Sequence, residues 1–586
     1  MRLPSPRRLA FVFLLIAAVI GGSMYWRASQ EELWGYAPLL LYMFLFGAYF
    51  LLRNHPRRGG PRPGYRLPVY AGGLLGVGFA GDIGFFPALL VGFVPMFLLY
   101  RELLRRSAGY GEVFRHGFTA FLLFNILTTY WVTNTGFFAG LFAMLTNSAL
   151  MCLPWLAFYW TGRKSPRVAF LAFGACWIAF EHLHYNWGLN WPWLTLGNGL
   201  ANWPGLIQWY EVTGVLGGSA WILGCNYLAL KTFFAPASEH AKLPAFGKAL
   251  PFLALLLLPP TASIVRYNTY AAPANETISV AAVQPNFEPH FEKFADQRQS
   301  APLDTFVRLS SAALAEGPVD YLLFPETSFR GIEEGRPLES SAVRALSAAL
   351  TGRGADYLVT GYSGYYRFGP GEPLSPAVRR SGDVAFEALN AALQLRLGSD
   401  DYQTYRKGVF VPGAESFPFR AYLPFMEPLV ASVGGSVAGL GTQARRTPFV
   451  APKAKIAPVI CYESVFGEYF TDYIREGAQA IFVMTNDGWW ANTAGHRQHL
   501  YYSSLRAIET RRAVVRAANV GACAFIDQRG NIISRTHYDR AGFLRGELRL
   551  NDAVTPYVRF GDLVSRVALL LAGMVLLSNL ARSLRK

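Results

Sequence analysis

Long apolar runs restrict the fold of this chain more than any other feature. Ten of them interrupt the 586 residues, and most are close to the length that crosses a bilayer. They cover approximately residues 9–26, 36–52, 67–80, 87–100, 118–133, 139–160, 168–184, 207–230, 248–266 and 557–581. Since 52% of the residues are hydrophobic and only 16% are charged, an ordinary soluble protein is excluded. The sequence predicts a polytopic α-helical membrane domain.

The basic residues indicate how these spans are oriented. Six alternate connections hold 21 Lys and Arg and three acidic residues, whereas the opposite short connections hold almost no Lys or Arg. By the positive-inside rule, we expect both termini in the cytoplasm and residues 267–556 outside. The net charge of +16 is therefore a topology signal, and no nucleic acid partner is expected. The runs at 67–80 and 87–100 could instead form a re-entrant pair.

This orientation divides the chain into four parts. Residues 1–66 hold two N-terminal spans and a basic linker, and residues 67–266 form the core of the membrane domain. Residues 267–556 form an extracytoplasmic domain, and residues 557–586 hold a last span and a basic tail. From Ile278 onward, short β-rich runs alternate with helical stretches, which predicts an α/β fold for the extracytoplasmic domain.

Three of these β-rich segments present a reactive side chain. Glu326 ends DYLLFPE, Lys407 lies in YRKGVFVPGAE, and Cys461 ends KIAPVIC. Strand ends at one edge of an α/β sheet converge, so a carboxylate, an ammonium and a thiol can meet there, although each alone could be structural. Glu326 would act as a general base and Lys407 would stabilise an oxyanion. The predicted strand-to-helix turn would place the Cys461 thiol near a helix N-terminus and favour its thiolate.

The order and the sequences of these segments resemble those of a known family. LLFPE, Y-x-K-x-x-x-V-P-x-x-E, ICYE and TNDGWW are similar to the carbon–nitrogen hydrolase, or nitrilase, superfamily. Together with WPWLTLGN and the flanking spans, they resemble the apolipoprotein N-acyltransferase family. The resemblance implies a nitrilase-like α-β-β-α sandwich, no cofactor, and a catalytic triad of Glu326, Lys407 and Cys461. It also implies supporting roles in the active site for Glu415, Tyr462 and Glu463.

Other residues are candidates for contacts with substrate. The family often has a tryptophan where this chain has Phe294, and its usual Val-Pro-Phe-Gly-Glu is Val-Pro-Gly-Ala-Glu at 411–415. The apolar segment 417–434 predicts an interfacial lid, with a packed helix as the alternative. Trp489 and Trp490 suit either a membrane-interface belt or an acyl groove.

Two pairs of polar residues near these segments are not assigned a catalytic role. Asn486 and Asp487 follow a strand end and are expected to brace the catalytic loops. His496 and His499 form a His-x-x-His pair, but no third ligand lies nearby in the sequence. We therefore expect no metal site.

The resemblance also implies an activity. The chain would transfer a fatty acyl chain from a membrane phospholipid, with phosphatidylethanolamine as the expected donor, to the N-terminal amino group of diacylglyceryl-cysteine in a lipoprotein. The route would be ping-pong, through a thioester on Cys461. We expect a monomer in the bacterial inner membrane, with its catalytic domain in the periplasm. A membrane-tethered amidase or nitrilase is the alternative, and a catalytically inactive receptor or transporter is the third possibility.

Overall fold

The structure is a computed structural model of the chain. It describes residues 5–53, 64–234, 245–273, 276–289, 300–417, 422 and 439–585. Phe294 and nearly all of the predicted lid at 417–434 lie outside the described residues.

Helices make up the N-terminal half of the described chain. In order, they are α1 (Pro6–Ser29), α2 (Ala37–Arg53), α3 (Arg66–Gly78), α4 (Val94–Arg105), α5 (Tyr110–Thr129), α6 (Phe137–Leu150), α7 (Cys152–Lys164), α8 (Ala169–Asn186), α9 (Tyr210–Phe233) and α10 (Ala245–Thr269). Within the described ranges, six helical segments are long and apolar enough to cross a membrane. They are Pro6–Ser29, Phe137–Lys164, Pro166–Asn186, Tyr210–Phe233, Gly247–Thr269 and Leu563–Leu584. The expectation of a polytopic membrane domain is confirmed.

The helices at residues 66–105 are shorter than the others. Helix α3 has 13 residues and α4 has 12, whereas a straight crossing needs roughly 20. The turn between them contains Asp82, whose carboxylate accepts a hydrogen bond from Arg497 at 2.5 Å. Because Arg497 lies far along the chain, the polar break between these helices is a contact point between the two halves of the molecule.

Two β-sheets form the centre of the second half. The first has eight strands, in the order β14-β1-β2-β4-β6-β5, with β3 paired to β4 and β7 to β6. The second has six strands, in the order β13-β12-β11-β10-β9-β8. The strands are β1 (Thr277–Gln284), β2 (Val319–Leu323), β3 (Phe329–Glu333), β4 (Ala355–Arg367), β5 (Arg379–Ser381), β6 (Val384–Arg396), β7 (Tyr402–Arg406), β8 (Phe449–Val450), β9 (Lys455–Ile460), β10 (Ala480–Thr485), β11 (Ala513–Ala518), β12 (Ala524–Ile526), β13 (Ile532–Arg535) and β14 (Gly542–Arg549).

These sheets pack face to face between two layers of helices. One buried cluster joins Val280 and Leu323 of the first sheet to Val459 and Phe482 of the second. Helices α11 (Ser300–Ala315) and α12 (Ser341–Leu350) cover the outer face of the first sheet. Helices α13 (Gly467–Arg475) and α14 (Ala494–Thr510) pack against the second sheet. This arrangement confirms the predicted α-β-β-α sandwich. Its central strands β2, β10 and β11 are buried along their whole length, because both faces of each sheet are covered.

The sandwich and the membrane helices share a continuous apolar interior. The buried cluster that fills the membrane helices also contains Tyr462, Phe466, Tyr502 and Leu505 from the sandwich. After β14 the chain returns to the membrane through α15 (Pro556–Phe560) and α16 (Leu563–Leu584). The edge of the sandwich that carries Cys461 is therefore packed directly on the membrane domain.

Candidate active site

Cys461 lies at a sharp turn immediately after a buried strand. Strand β9 ends at Ile460, Cys461 has a left-handed backbone with φ of 48°, and a 3-10 helix runs from Cys461 to Val465. A strand followed by a sharp turn into a helical segment agrees with the pattern expected from the sequence. The Cys461 side chain is almost fully enclosed, since the residue is 8% exposed.

The ionisation state of this thiol differs from the expectation. Burial, reinforced by the Glu326 carboxylate, raises the pKa of Cys461, although the Lys407 ammonium acts in the opposite direction. The expectation that the turn favours the thiolate is therefore not met, because the net effect of the surroundings is to raise the pKa of this thiol. That expectation was based on the helix terminus and could not take account of desolvation, which is the larger effect. The thiol must lose its proton to a base when it reacts.

Glu326 and Lys407 lie together beside this thiol. Glu326 follows β2, Lys407 follows β7, and the Lys407 Nζ donates to Glu326 Oε1 at 3.0 Å. Lys407 is 1% exposed and Glu326 is 6% exposed. Burial alone would lower the pKa of Lys407, but the carboxylates of Glu326 and Glu415 hold it well above its ordinary value. Lys407 is consequently a fixed positive charge inside the site.

Glu415 is the second carboxylate on the same ammonium. Its Oε1 accepts from Lys407 Nζ at 2.8 Å, and its Oε2 accepts from the backbone N–H of Val411 at 2.9 Å. The loop at 411–415 differs in sequence from the family's usual motif, and it still places Glu415 beside Lys407.

Asn390 joins the two carboxylates and was missed by the sequence analysis. Its Nδ2 donates to Glu326 Oε1 and to Glu415 Oε1, each at 2.9 Å. It lies in the middle of β6, among residues that are mostly buried and apolar. An asparagine in such a strand was the available signal, because a buried amide needs polar partners.

Glu463 fixes the chain around both Cys461 and Lys407. Its carboxylate accepts from the backbone N–H of Gly408 at 2.6 Å and of Ile460 at 2.7 Å. It also accepts from the hydroxyl groups of Tyr405 at 2.8 Å and Tyr469 at 2.6 Å. The residues next to Lys407 and Cys461 are therefore tied to one buried carboxylate, which is a positioning role.

Tyr462 connects the loop of Cys461 to the membrane domain. Its hydroxyl donates to the carbonyl oxygen of Asn190 at 2.7 Å, and its ring is parallel to that of Trp193, with centroids 6.5 Å apart. Trp490 also contacts this region, with ring centroids 4.9 Å from Trp131 and 5.5 Å from Trp193.

Trp489 and the Asn486–Asp487 pair lie at the same edge. The carbonyl oxygen of Trp489 accepts from Thr135 Oγ1 of the membrane domain at 3.5 Å. Asn486 Oδ1 accepts from Asn519 Nδ2 at 3.2 Å. Asp487 is buried, and although burial opposes its charge, the Arg516 guanidinium holds its pKa well below the usual value.

Two family models and a solved structure are similar to parts of this chain. The model of the apolipoprotein N-acyltransferase N-terminal domain matches residues 71–228, and the carbon–nitrogen hydrolase model matches residues 279–555. A solved structure of a member of branch 10 of the nitrilase superfamily from Saccharomyces cerevisiae is 16% identical to this chain. The match covers 47% of this chain and 90% of that protein, with a TM-score of 0.33.

Two bacterial relatives match almost the whole chain. The apolipoprotein N-acyltransferase of Chlorobaculum tepidum is 30% identical over 521 residues, which are 87% of this chain and 95% of that protein. The apolipoprotein N-acyltransferase of Geobacter metallireducens is 29% identical over 519 residues, which are 86% of this chain and 92% of that protein. The chain therefore belongs to the apolipoprotein N-acyltransferase family, in which a carbon–nitrogen hydrolase domain is combined with a polytopic membrane domain.

Proposed function

We propose that this protein transfers a fatty acyl chain from a membrane phospholipid to the N-terminal amino group of diacylglyceryl-cysteine in lipoproteins, through a thioester on Cys461. The buried Glu326–Lys407 pair beside the Cys461 thiol carries this proposal. A carboxylate, an ammonium and a thiol are the base, the electrophilic stabiliser and the nucleophile that acyl transfer needs.

In the first half-reaction, the acyl chain moves to the enzyme. Glu326 accepts the Cys461 thiol proton while Sγ bonds to the ester carbonyl carbon of the phospholipid. The Lys407 ammonium stabilises the oxyanion that forms on the carbonyl oxygen. When this intermediate collapses, the ester C–O bond breaks and the lysophospholipid oxygen takes the proton from Glu326.

In the second half-reaction, the acyl chain moves to the lipoprotein. The free amino group attacks the thioester carbonyl carbon, and Glu326 accepts a proton from the attacking nitrogen. The C–S bond then breaks, and the proton returns to the sulfur of Cys461. One site serves both substrates in turn, which a thioester intermediate permits.

The membrane domain explains why such chemistry is attached to helices that cross a bilayer. Both proposed substrates are lipids, so the thiol must be held close to the membrane. We place the catalytic domain on the extracytoplasmic side of a bacterial inner membrane, with both termini in the cytoplasm, and we expect phosphatidylethanolamine as donor and no cofactor. The sandwich edge that bears Cys461 rests on membrane-domain residues, which supports a thiol held close to the membrane.

Mass spectrometry of the purified protein tests the proposal. After incubation with phosphatidylethanolamine, wild type should gain one acyl group on Cys461, and this group should pass to a diacylated lipopeptide. Cys461→Ala should gain none. Glu326→Gln should slow adduct formation by about 10²-fold or more, and Lys407→Ala by a similar factor.

Cys523→Ala is the matched control, since Cys523 is another buried free cysteine of the same domain. It should form the adduct at the wild-type rate. Full lipopeptide acylation by Cys461→Ala would contradict the mechanism. An adduct formed from a small amide and not from phospholipid would instead favour the amidase.

A further inference from the structure

Two consecutive residues of helix α14 contact opposite sides of the domain junction. Gln498 contacts the membrane domain, whereas His499 contacts the loop of the nucleophile. Both are buried, with exposed fractions of 1% and 0%. Consecutive residues of a helix project about 100° apart, so one rigid turn can bind two different neighbours.

The Gln498 amide is fully hydrogen-bonded to membrane-domain groups. Its Oε1 accepts from Trp193 Nε1 at 2.7 Å and from Trp131 Nε1 at 3.1 Å. Its Nε2 donates to the carbonyl oxygens of Ala80 at 2.9 Å and Thr128 at 3.1 Å. A glutamine amide offers two acceptor and two donor positions, and all four are occupied. This single side chain therefore fixes α14 against three separate segments of the membrane domain.

His499 binds the backbone of the nucleophile itself. Its Nε2 lies 3.2 Å from the carbonyl oxygen of Cys461 and 2.8 Å from Ser464 Oγ. The Ser464 hydroxyl also donates to the Cys461 carbonyl oxygen at 2.7 Å. On the other side of the ring, Nδ1 lies 2.9 Å from Asp487 Oδ1 and 2.9 Å from Arg516 Nη2, and these contacts fix the ring's orientation. Asp487 is fixed in turn by Arg516.

We infer that Gln498 and His499 are positioning residues that hold Cys461 at a fixed location relative to the membrane domain. The inference rests on the proposed function, in which the acyl donor reaches Cys461 from the bilayer. Tightly held tryptophans determine where Gln498 lies, the helical turn transmits that position to His499, and His499 holds the backbone at Cys461. Reaction geometry is sensitive to such placement, because a displacement of about 1 Å can cost about 10²-fold in rate.

Two reactions of the same thiol separate positioning from general damage. Acylation by phosphatidylethanolamine in nanodiscs requires Cys461 to be aligned with a membrane-bound substrate. Alkylation by iodoacetamide requires only an accessible, reactive thiol. In Gln498→Met, acylation should fall about tenfold or more while alkylation stays within about twofold of wild type. In His499→Leu, both rates should fall, because the backbone at the nucleophile loses its support.

Gln208→Met is the matched control. Gln208 is a fully buried glutamine at the same domain junction, where its Nε2 donates to the carbonyl oxygens of Pro204 at 2.7 Å and Arg529 at 2.9 Å. Among the described residues, its side chain hydrogen-bonds to Pro204, Arg511 and Arg529 and not to Cys461, His499 or the tryptophans that bind Gln498. Its substitution should therefore leave both rates within about twofold.

Three results would overturn the inference. The first is an acylation rate in Gln498→Met equal to that of wild type. The second is a loss of acylation in Gln208→Met as large as that in Gln498→Met. The third is a parallel loss of acylation and alkylation in Gln498→Met. If Gln498→Met does not fold, Trp193→Phe supplies the test, since it removes one donor to Gln498 and keeps an aromatic ring; unchanged acylation there would also overturn it. Absence of an adduct in wild type would contradict the proposed function and not the positioning role.

Discussion

At the scale of the residue, burial controls the chemistry of Cys461. The neighbouring Glu326 carboxylate raises the pKa of this thiol further, and the Lys407 ammonium only partly offsets both effects. A raised pKa favours the protonated thiol, which is poorly nucleophilic until a base accepts its proton. Such a thiol is protected from adventitious oxidants, because oxidants react with the thiolate form of cysteine.

The raised pKa predicts the pH dependence of alkylation. A group whose pKa lies above its ordinary value stays protonated to higher pH, so its thiolate fraction keeps growing by about tenfold per pH unit past pH 8.5, where a free cysteine levels off. Iodoacetamide labelling of Cys461 in the folded enzyme should therefore still accelerate at pH 9.5, about a unit above that ordinary value. The urea-unfolded chain is the control and should reach its plateau earlier. A plateau near neutral pH in the folded enzyme would show that the resting group is a thiolate.

Asn390 should affect the rate of adduct formation on Cys461 although it carries no charge. Asn390→Leu removes the donor shared by Glu326 and Glu415, which leaves both carboxylates competing for Lys407. We expect adduct formation on Cys461 to slow by about tenfold, the effect of losing more than one kcal/mol of hydrogen bonding to charged groups. Gln394→Leu is the control, since Gln394 is a buried amide of the same strand that donates to Val450 instead. Equal rates in the two variants would exclude a specific role for Asn390.

Sequence patterns predicted the charged members of this site better than its neutral ones. Glu326 and Cys461 stand out because each follows an apolar run at a strand end, and Lys407 stands out because it lies in the Y-x-K-x-x-x-V-P-x-x-E segment. Asn390, Ser464 and His499 do not, because their importance depends on which buried partner faces them. The protonation of Cys461 was mispredicted for a related reason, since desolvation arises from segments far away in the chain.

At the scale of the element, strands were easier to predict than the helices of the membrane domain. The runs around β1, β2, β9, β10 and β11 are short, apolar and bounded by turn residues, so their periodicity is unambiguous. The region of α3 and α4 was left open between two crossings and a re-entrant pair. The turn in this region pairs Asp82 with Arg497, 415 residues away, which no local pattern contains.

Gly361 of strand β4 lies against the backbone of the loop that carries Glu326. A Cβ added to Gly361 would lie 2.7 Å from Glu326 Cα and 2.9 Å from the Pro325 carbonyl oxygen, so Gly361→Ala must push the loop of Glu326 away. We expect a loss of about 1–3 kcal/mol in the free energy of unfolding, together with slower adduct formation on Cys461. Thermal unfolding and the adduct assay measure the two effects.

Gly542→Ala is the matched control, because a Cβ at this strand residue meets no atom within 4 Å. It should leave both stability and adduct formation nearly unchanged. If Gly361→Ala behaved in the same way, the contact between β4 and the Glu326 loop would be looser than the geometry indicates.

At the scale of the whole molecule, the sandwich and the membrane helices are parts of one packed body. The sequence divided them cleanly by composition, but their shared buried cluster includes residues from both. Its extent could not be predicted, because Phe466 and Tyr502 appear in the sequence as ordinary aromatic residues of the sandwich. The proposed orientation across the bilayer applies to this body as a whole.

Labelling of single introduced cysteines tests that orientation. The native cysteines are all buried, so background labelling by a membrane-impermeant maleimide should be low. Glu32→Cys lies on the proposed outer side and should be labelled in intact spheroplasts. Arg105→Cys lies on the proposed cytoplasmic side and should be labelled only after permeabilisation. The reverse pattern would invert the topology and remove periplasmic lipoproteins as substrates.

The left-handed backbone at Cys461 has a consequence for engineering. With φ of 48°, this position suits glycine, and any other L-residue there costs about 1–2 kcal/mol. Activity and thermal robustness are thus opposed at this one residue. A screen that rewards heat resistance alone would tend to replace the cysteine with glycine and select an inert protein. Any stabilised version of this enzyme should therefore be evolved with residue 461 held constant.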